Sequence, residues 1–117
     1  MKKFYYLSSC STCKRIMQSL ELPDSVEMVD IKKNPLNSPE LEQLRKQSGS
    51  YEALFSKRAQ LYKQRNLKDQ NLTEEDLKSL LLEHYTFLKR PILWTPSAIH
   101  IGNSASVVEA MKAALHE

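Results

Sequence analysis

The feature that most constrains the fold is a pair of cysteines that stands between a strand pattern and a helix pattern. Cys10 and Cys13 are the only cysteines among the 117 residues of the chain. They follow a short aromatic segment, 4–7, which is typical of a β-strand. The apolar residues of 11–20 recur at helical spacing, and the composition of 26–31 predicts a second strand. The order predicts a strand–helix–strand unit with a right-handed crossover and with both cysteines at the start of its helix.

The middle of the chain, 32–90, is predicted to be largely helical. Ser38 and Pro39 are typical of an N-cap and of the first position of a helix, which is expected to stop at Gly49. A second and more polar helix is predicted over 51–66, where apolar residues are scattered among charged ones.

Two further helices are predicted from capping motifs. Thr73 and Asp76 are spaced like a capping box, and the leucines behind them predict an amphipathic helix that ends near His84. Ser106 and Glu109 have the same spacing and mark the expected start of the last helix.

The strands 92–95 and 98–101 are predicted between these two helices. Their short connection favours an antiparallel hairpin. The resulting order, β-α-β, helices, β-β-α, is that of a thioredoxin-like fold. We therefore expect one α/β domain over 1–117, with a mixed four-stranded sheet and a helical insertion at about 32–90 between the strand pairs.

Composition limits the functions open to such a domain. The chain is 41% hydrophobic and 26% charged, and its formal net charge is +3. So mild a surplus argues against direct binding to nucleic acid, although it favours the approach of a small oxyanion. No segment has the length of a membrane span, and the apolar stretch 4–7 is too short for a secretory signal. We therefore expect a cytoplasmic protein without a membrane partner, in which a cysteine pair is more often catalytic, redox-sensing or metal-binding than structural.

The position of the pair predicts different roles for the two thiols. A cysteine at a helix N-terminus meets unpaired N–H groups and the positive end of the helix dipole, and both favour the thiolate. Cys10 lies at this point, and Lys14 and Arg15 add positive charge nearby in the sequence. We expect Cys10 to be the attacking thiolate and Cys13 the resolving thiol, which closes a disulfide once Cys10 is oxidised or bonded to substrate.

A metal site is the first alternative for the pair. Zinc in proteins needs about four ligands, and a CxxC motif supplies two of them. The three histidines, His84, His100 and His116, are far from the pair in the sequence and scattered. We therefore predict no metal site. Two buried cysteines that only fill the core remain a second alternative, because cysteine packs as a small hydrophobic residue.

A phosphatase-type oxyanion loop is a third alternative, and the spacing between Cys10 and the nearest arginine excludes it. That loop has the pattern C-x5-R, but the sixth residue after Cys10 is Ile16, and Arg15 falls one position short. An oxyanion would therefore have to be bound by arginines from elsewhere in the chain.

Two arginines are candidates for that role. Arg58 lies in the segment SKRAQLYK on a predicted helix, where a simple solvated charge is the plainer interpretation. Arg90 directly precedes Pro91 and the third predicted strand, the position at which thioredoxin-like folds have a cis-proline that faces the CxxC motif. A guanidinium group can bind a tetrahedral oxyanion through two parallel hydrogen bonds.

Three segments together resemble the ArsC/Spx family of thioredoxin-fold proteins. They are CSTCKR after the first strand, SKRAQLYK in the middle, and LKRPIL followed by a strand, a glycine and a last helix. The resemblance covers nearly the whole chain. The family includes glutaredoxin-dependent arsenate reductases and the Spx transcriptional regulators, so the resemblance implies either an enzyme or a regulator.

For an arsenate reductase, the resemblance implies that Cys10 attacks arsenate. Arg58 and Arg90 match two of the three arginines that bind the oxyanion in that group, and glutathione with glutaredoxin completes the reduction. The residues around these positions that we assign supporting roles are Ser11, Thr12, Pro91 and Asn103.

The chain departs from the arsenate reductases at two places. The third arginine should precede the last helix, where this chain has Asn103, which can donate a hydrogen bond but carries no charge. The reductases typically lack a cysteine at the position of Cys13, whereas Spx proteins have a CxxC redox switch there. In Spx a glycine of the central helices contacts the RNA polymerase alpha subunit. Gly49 lies near that point, although the pattern around it equally predicts a plain helix C-cap.

We therefore expect a thiol-dependent oxidoreductase of the arsenate reductase type. Its substrate is a small oxyanion or a glutathione mixed disulfide, and its reductant is glutathione with glutaredoxin, or thioredoxin, with no bound cofactor. The alternative is an Spx-like redox switch that binds the RNA polymerase alpha subunit. A relative that has kept the fold and lost both functions is a third hypothesis.

Overall fold

The computed structural model describes residues 2–116 and divides the chain into two compact units. Of the described residues, one unit contains 2–34 together with 90–116, and the other is the continuous segment 35–89. All four strands belong to the first unit, while the second is built from helices and turns.

The first unit is organised around a mixed four-stranded sheet. Its strands are β1 (Lys2–Tyr6), β2 (Val26–Asp30), β3 (Ile92–Trp94) and β4 (Ile99–Ile101). They lie in the order β2-β1-β3-β4, with β1 parallel to β2 and antiparallel to β3, and with β3 and β4 forming an antiparallel hairpin. This confirms the predicted fold class and the hairpin.

Two helices of the first unit, α1 (Ser11–Leu20) and α5 (Ala105–Leu115), contribute to one buried apolar cluster with the sheet. In the sheet, Phe4 of β1 lies opposite Leu93 of β3, and both are fully buried. Met111 of α5 packs in the same cluster and is fully buried as well. The other buried members are Ile16, Leu20, Val26 and Leu115. Burial of side chains of this size is the main favourable term in folding, at about 1.5–3 kcal/mol each.

The second unit contains three α-helices: α2 (Ser38–Ser48), α3 (Gln60–Gln64) and α4 (Glu74–Glu83). Short 3₁₀ turns connect them at Glu52–Leu54 and Leu67–Asp69, and a third, Tyr85–Phe87, follows α4. None of the helices among residues 2–116 is both long and apolar enough to cross a membrane.

The segment predicted as one helix over 51–66 is not a single helix, so that prediction was wrong. Phe55 is extended and forms an antiparallel bridge with Leu88. The N–H of Ser56 donates to the carbonyl of Phe87 at 2.7 Å, and the rings of Phe55 and Phe87 stack at 5.3 Å. Because these bonds use the backbone of Phe55 and its neighbours for a strand-like pairing, the helix breaks there and only the short α3 follows.

Two helices are capped by a different residue from the one predicted. Asn37, not Ser38, caps α2, because its side-chain oxygen accepts from the N–H of Glu40 at 2.9 Å. Ser104, not Ser106, caps α5. In each case the capping residue must lie before the first helical residue, where the backbone is still extended.

Two other helix-end predictions are confirmed. Thr73 and Asp76 form a reciprocal capping box, in which each side chain accepts from the other's N–H, at 3.2 and 3.0 Å. Gly49 ends α2 with φ +96°, a left-handed conformation that glycine adopts at low cost, and its N–H donates to the carbonyl of Arg45 at 2.7 Å.

Candidate active site

Cys10 is the N-cap residue of α1, as its sequence position predicts. Its backbone is extended, with φ −91° and ψ 113°. Its N–H donates to the carbonyl of Leu7 at 3.0 Å, and its own carbonyl accepts from the N–H of Lys14 at 3.2 Å. A tight turn after β1 therefore places Cys10 at the start of the helix, where its side chain is half-buried.

The surroundings of Cys10 favour its thiolate. Partial burial alone would raise the pKa of this thiol, but three kinds of group outweigh it and lower the pKa below its ordinary value of 9.0. They are the backbone N–H and the thiol of Cys13, the positive charge of Arg90, and the backbone N–H of Thr12. Cys10 thus has the electrostatic features of a nucleophilic cysteine.

Cys13 has the opposite character. Its side chain is completely buried, and burial raises the pKa of its thiol to about 11. The hydrogen bond to Cys10 and the charge on Cys10 act in the same direction as burial, while a backbone hydrogen bond from Leu7 and the charge of Arg90 act to lower the pKa. At neutral pH, Cys13 is therefore a protonated thiol that donates to Cys10. Both cysteines are unbonded in this structure.

Arg90 is the cation that acts on both thiols. It is half-buried, and the peptide bond that joins it to Pro91 is cis, at the position predicted from the sequence. The carbonyl of Pro91 accepts from the N–H of Gly102 at 2.9 Å, which ties the start of β3 to the end of β4. Lys14 and Arg15, the two cations nearest in sequence, are exposed on α1.

The structure places the remaining predicted residues as follows. Arg58 is not on a helix but in an exposed turn two residues before α3, in the second unit. Ser11 is the first residue of α1 and is exposed. Asn103 is exposed and directly precedes the cap of α5. The groups that the structure brings together are thus Cys10, Cys13, Arg90 and the backbone of Thr12, and the roles of Arg58, Ser11 and Asn103 stay predictions. No group of three or more potential metal ligands occurs among residues 2–116.

Asp30 is a polar residue of this region that the sequence analysis did not single out. It is the last residue of β2, only 5% exposed, and its carboxylate accepts from the N–H of Lys32 at 3.1 Å and from the hydroxyl of Ser8. The available signal was a carboxylate at the end of the strand VEMVD, which lies parallel to the strand that leads to Cys10.

A four-stranded mixed sheet, a CxxC motif at the start of the first helix and a cis-proline before the third strand define a thioredoxin-like protein. A family model described as the ArsC family matches residues 5–111, so the chain belongs to the ArsC family. A search of curated protein sequences gave no significant match.

Solved structures with the same fold include three bacterial proteins. An arsenate reductase from Vibrio cholerae superposes with a TM-score of 0.77 at 23% identity, over 94% of this chain and 96% of its own. A possible arsenate reductase from Streptococcus mutans gives 0.68 at 29% identity, over 87% and 90% of the two chains. An arsenate reductase-related protein from Brucella melitensis gives 0.72 at 22% identity, over 93% and 92%.

Proposed function

We propose that the protein is a thiol-dependent oxidoreductase that reduces arsenate or a chemically similar small oxyanion. The observation that carries the proposal is the Cys10 thiol at the start of α1, whose pKa is lowered while that of Cys13 three residues later is raised to about 11. Membership of the ArsC family and similarity to proteins described as arsenate reductases support the choice of substrate.

In the proposed reaction, the Cys10 thiolate attacks arsenic(V) and displaces one oxygen, which leaves as water after protonation. Cys13 then loses its proton and attacks the Cys10 sulfur, so the S–As bond breaks and its electron pair stays on arsenic. The products are arsenite, with arsenic(III), and a Cys10–Cys13 disulfide. Two thiols have supplied the two electrons of the reduction. Glutathione with glutaredoxin, or thioredoxin, supplies two more electrons to reopen the disulfide.

The proposed role of Arg90 is to stabilise the negative charge of the oxyanion beside Cys10. Its charge already lowers the pKa of both thiols, so it lies within electrostatic range of the reacting sulfur. A guanidinium is suited to bind two oxygens of a tetrahedral anion at once. Arg58 and Asn103 are proposed to assist, and Asn103 replaces a charged donor with a neutral one, which lowers the expected affinity for a highly charged anion.

The weaker oxyanion binding makes a glutathione mixed disulfide the second proposed substrate of the same site. Here the Cys10 thiolate attacks the disulfide, the substrate thiol leaves, and Cys13 then releases glutathione as a thiol by closing the Cys10–Cys13 bond. The reducing cytoplasm is the proposed compartment, because it keeps both thiols reduced between cycles.

The decisive experiment is turnover of arsenate in the presence of glutathione, glutaredoxin, glutathione reductase and NADPH, with loss of NADPH absorbance as the readout. We expect wild type to exceed Cys10→Ser by a wide margin. Cys13→Ser keeps the nucleophile and removes only the resolving thiol, so it separates attack from resolution. Equal rates for wild type and Cys10→Ser would refute the reductase, and a glutathionylated peptide in place of arsenate tests the second substrate.

A second candidate function is an Spx-like redox switch, and the hydrogen bond between the Cys10 and Cys13 thiols supports it. In that case the proposed partner is the RNA polymerase alpha subunit, with no direct contact to nucleic acid. A pull-down with the C-terminal domain of that subunit, before and after treatment with diamide, tests it. Absence of binding in both states would exclude the regulator.

A further inference from the structure

Asp30 lies at the end of β2, beside the point where the chain turns towards Cys10. It ends β2 and lies opposite Tyr6, the last residue of β1. The N–H of Ile31 donates to the carbonyl of Tyr6 at 2.9 Å, so the pairing of the two strands continues to this point. Immediately after Tyr6 the chain leaves the sheet and turns through 7–10 to reach the helix.

The carboxylate of Asp30 binds one residue of that turn directly. Ser8 donates its hydroxyl to Asp30, and the backbone N–H groups of Lys32 and Lys33 also donate to this carboxylate, that of Lys32 at 3.1 Å. Because Asp30 is only 5% exposed, water competes weakly for these bonds. A hydrogen bond to a charged acceptor in such a place is worth more than one between neutral groups.

Ser8 lies within the short turn 7–10 that leads to the helix. In this turn the N–H of Cys10 donates to the carbonyl of Leu7 at 3.0 Å, and Ser9 between them is exposed. The alignment of the Cys10 sulfur with the N–H groups of Thr12 and Cys13 depends on how this turn enters the helix. A bond at Ser8 restrains the turn two residues before Cys10.

We propose that Asp30 is a positioning residue for the thiolate, which acts by holding Ser8 and thereby keeps Cys10 aligned with the start of α1. The inference rests on the proposed role of Cys10 as the nucleophile. In this role the Asp30 carboxylate accepts hydrogen bonds and does not remove the proton of Cys13. In line with this, although burial raises the pKa of this carboxyl, the donors from Ser8, Lys32 and Lys33 outweigh burial and hold it below its ordinary range.

The test measures the rate at which iodoacetamide alkylates Cys10 as a function of pH, with the site of labelling identified by peptide mass spectrometry. Asp30→Asn replaces the charged acceptor with a neutral amide and so weakens the bond, whereas Ser8→Ala removes its donor. We expect each variant to raise the apparent pKa of Cys10 and to slow its alkylation at pH 7 about threefold or more. The double variant should be no slower than Ser8→Ala alone, because both changes act on the same bond and Ser8→Ala already removes it.

The sign of the change separates this proposal from a simple charge effect. If Asp30 acted on Cys10 only through space, Asp30→Asn would remove a negative charge and accelerate alkylation at pH 7, and Ser8→Ala would change nothing. Either result would overturn the proposal. An unchanged pH profile in folded variants that are merely less stable would also overturn it, because it would make the bond purely structural.

Matched controls come from the same region. Ser9→Ala alters the neighbouring exposed residue of the turn, and Asp24→Asn removes an exposed carboxylate of the same unit; both should leave the alkylation profile unchanged. If Asp30→Asn does not fold, Ser8→Ala carries the test alone, since it deletes only one hydroxyl. Alkylation needs neither arsenate nor glutaredoxin, so failure of the proposed reductase activity would not be confused with failure of this inference.

Discussion

The starts of α1 and α4 solve the same problem in different ways. Every α-helix begins with N–H groups that have no partner within the helix. At α4, the side chains of Thr73 and Asp76 accept from these groups. The acidic residues of its first turn also interact favourably with the positive end of the helix dipole. At α1, no side chain makes a standard capping bond, and the first turn has no acidic residue. The N–H groups of Thr12 and Cys13 instead lower the pKa of the Cys10 thiol. The N–H groups at the start of α4 are hydrogen-bonded by capping side chains, which stabilises the helix. Those at the start of α1 stabilise the thiolate of Cys10.

The strongest test of this difference is the selectivity between the two cysteines. At pH 7 we expect iodoacetamide to label Cys10 at least about 100-fold faster than Cys13, because only thiolates react and the pKa of Cys13 is about 11. The midpoint of the Cys10 profile should lie below 9.0, since its pKa is lowered. Peptide mapping after partial labelling gives both rates. Faster labelling of Cys13 would reverse the proposed roles.

The second test removes the cation of the site. Arg90→Met should raise the pKa of Cys10 and slow its alkylation at pH 7 by about fivefold, because a nearby positive charge favours the thiolate. Arg15→Met is the matched control, as it removes a cation that is closer in sequence but exposed on α1. Equal effects of the two variants would show that general positive charge, and not Arg90, activates the thiol.

The third test disrupts the other helix start. Thr73→Ala should lower the free energy of unfolding by about 1 kcal/mol, because it removes the cap of α4. Urea unfolding followed by the fluorescence of Trp94, the only tryptophan of the chain, measures this. Ser79→Ala, an exposed change within α4, is the control. The alkylation rate of Cys10 should not change. A slower rate would contradict the separation of the two helix starts.

The smallest expected effect is a gain in stability at α1. A serine hydroxyl is a better N-cap than a thiol, so Cys10→Ser should raise the free energy of unfolding by about 0.5 kcal/mol at pH 5 while abolishing turnover. This advantage should shrink as pH rises towards 9.0. The reason is that the Cys10 pKa is lower in the folded protein, so wild type gains stability as the thiolate forms. Loss of stability in the variant at pH 5 would contradict this account.

The local patterns around α1 were sufficient to predict that part of the fold. The predicted bounds 11–20 are those observed, since an aromatic strand, a helical apolar spacing and a loop at Pro23 all agree there. The cis peptide bond at Pro91 could also be placed from the order of elements. The predictions of the capping box at Thr73 and the C-cap at Gly49 rested on equally local chemistry.

Long-range contacts are what local patterns did not predict. The segment 51–66 has a helical composition, but Phe55 pairs with Leu88, more than thirty residues away, and the helix is lost there. For the same reason Arg58 lies in a turn. In the site, Asp30 and Ser8 are joined only because β2 lies beside β1, so their hydrogen bond has no signature in either local sequence.

The complete burial of Cys13 has a consequence for the protein under oxidative stress. An oxidant in solution can reach only the Cys10 sulfur, where peroxide forms a sulfenic acid. We expect the thiol of Cys13, which is hydrogen-bonded to that sulfur, then to displace water and close a disulfide. In that case the two thiols give up two electrons together, and the disulfide keeps the half-buried Cys10 from the irreversible sulfinic and sulfonic acids.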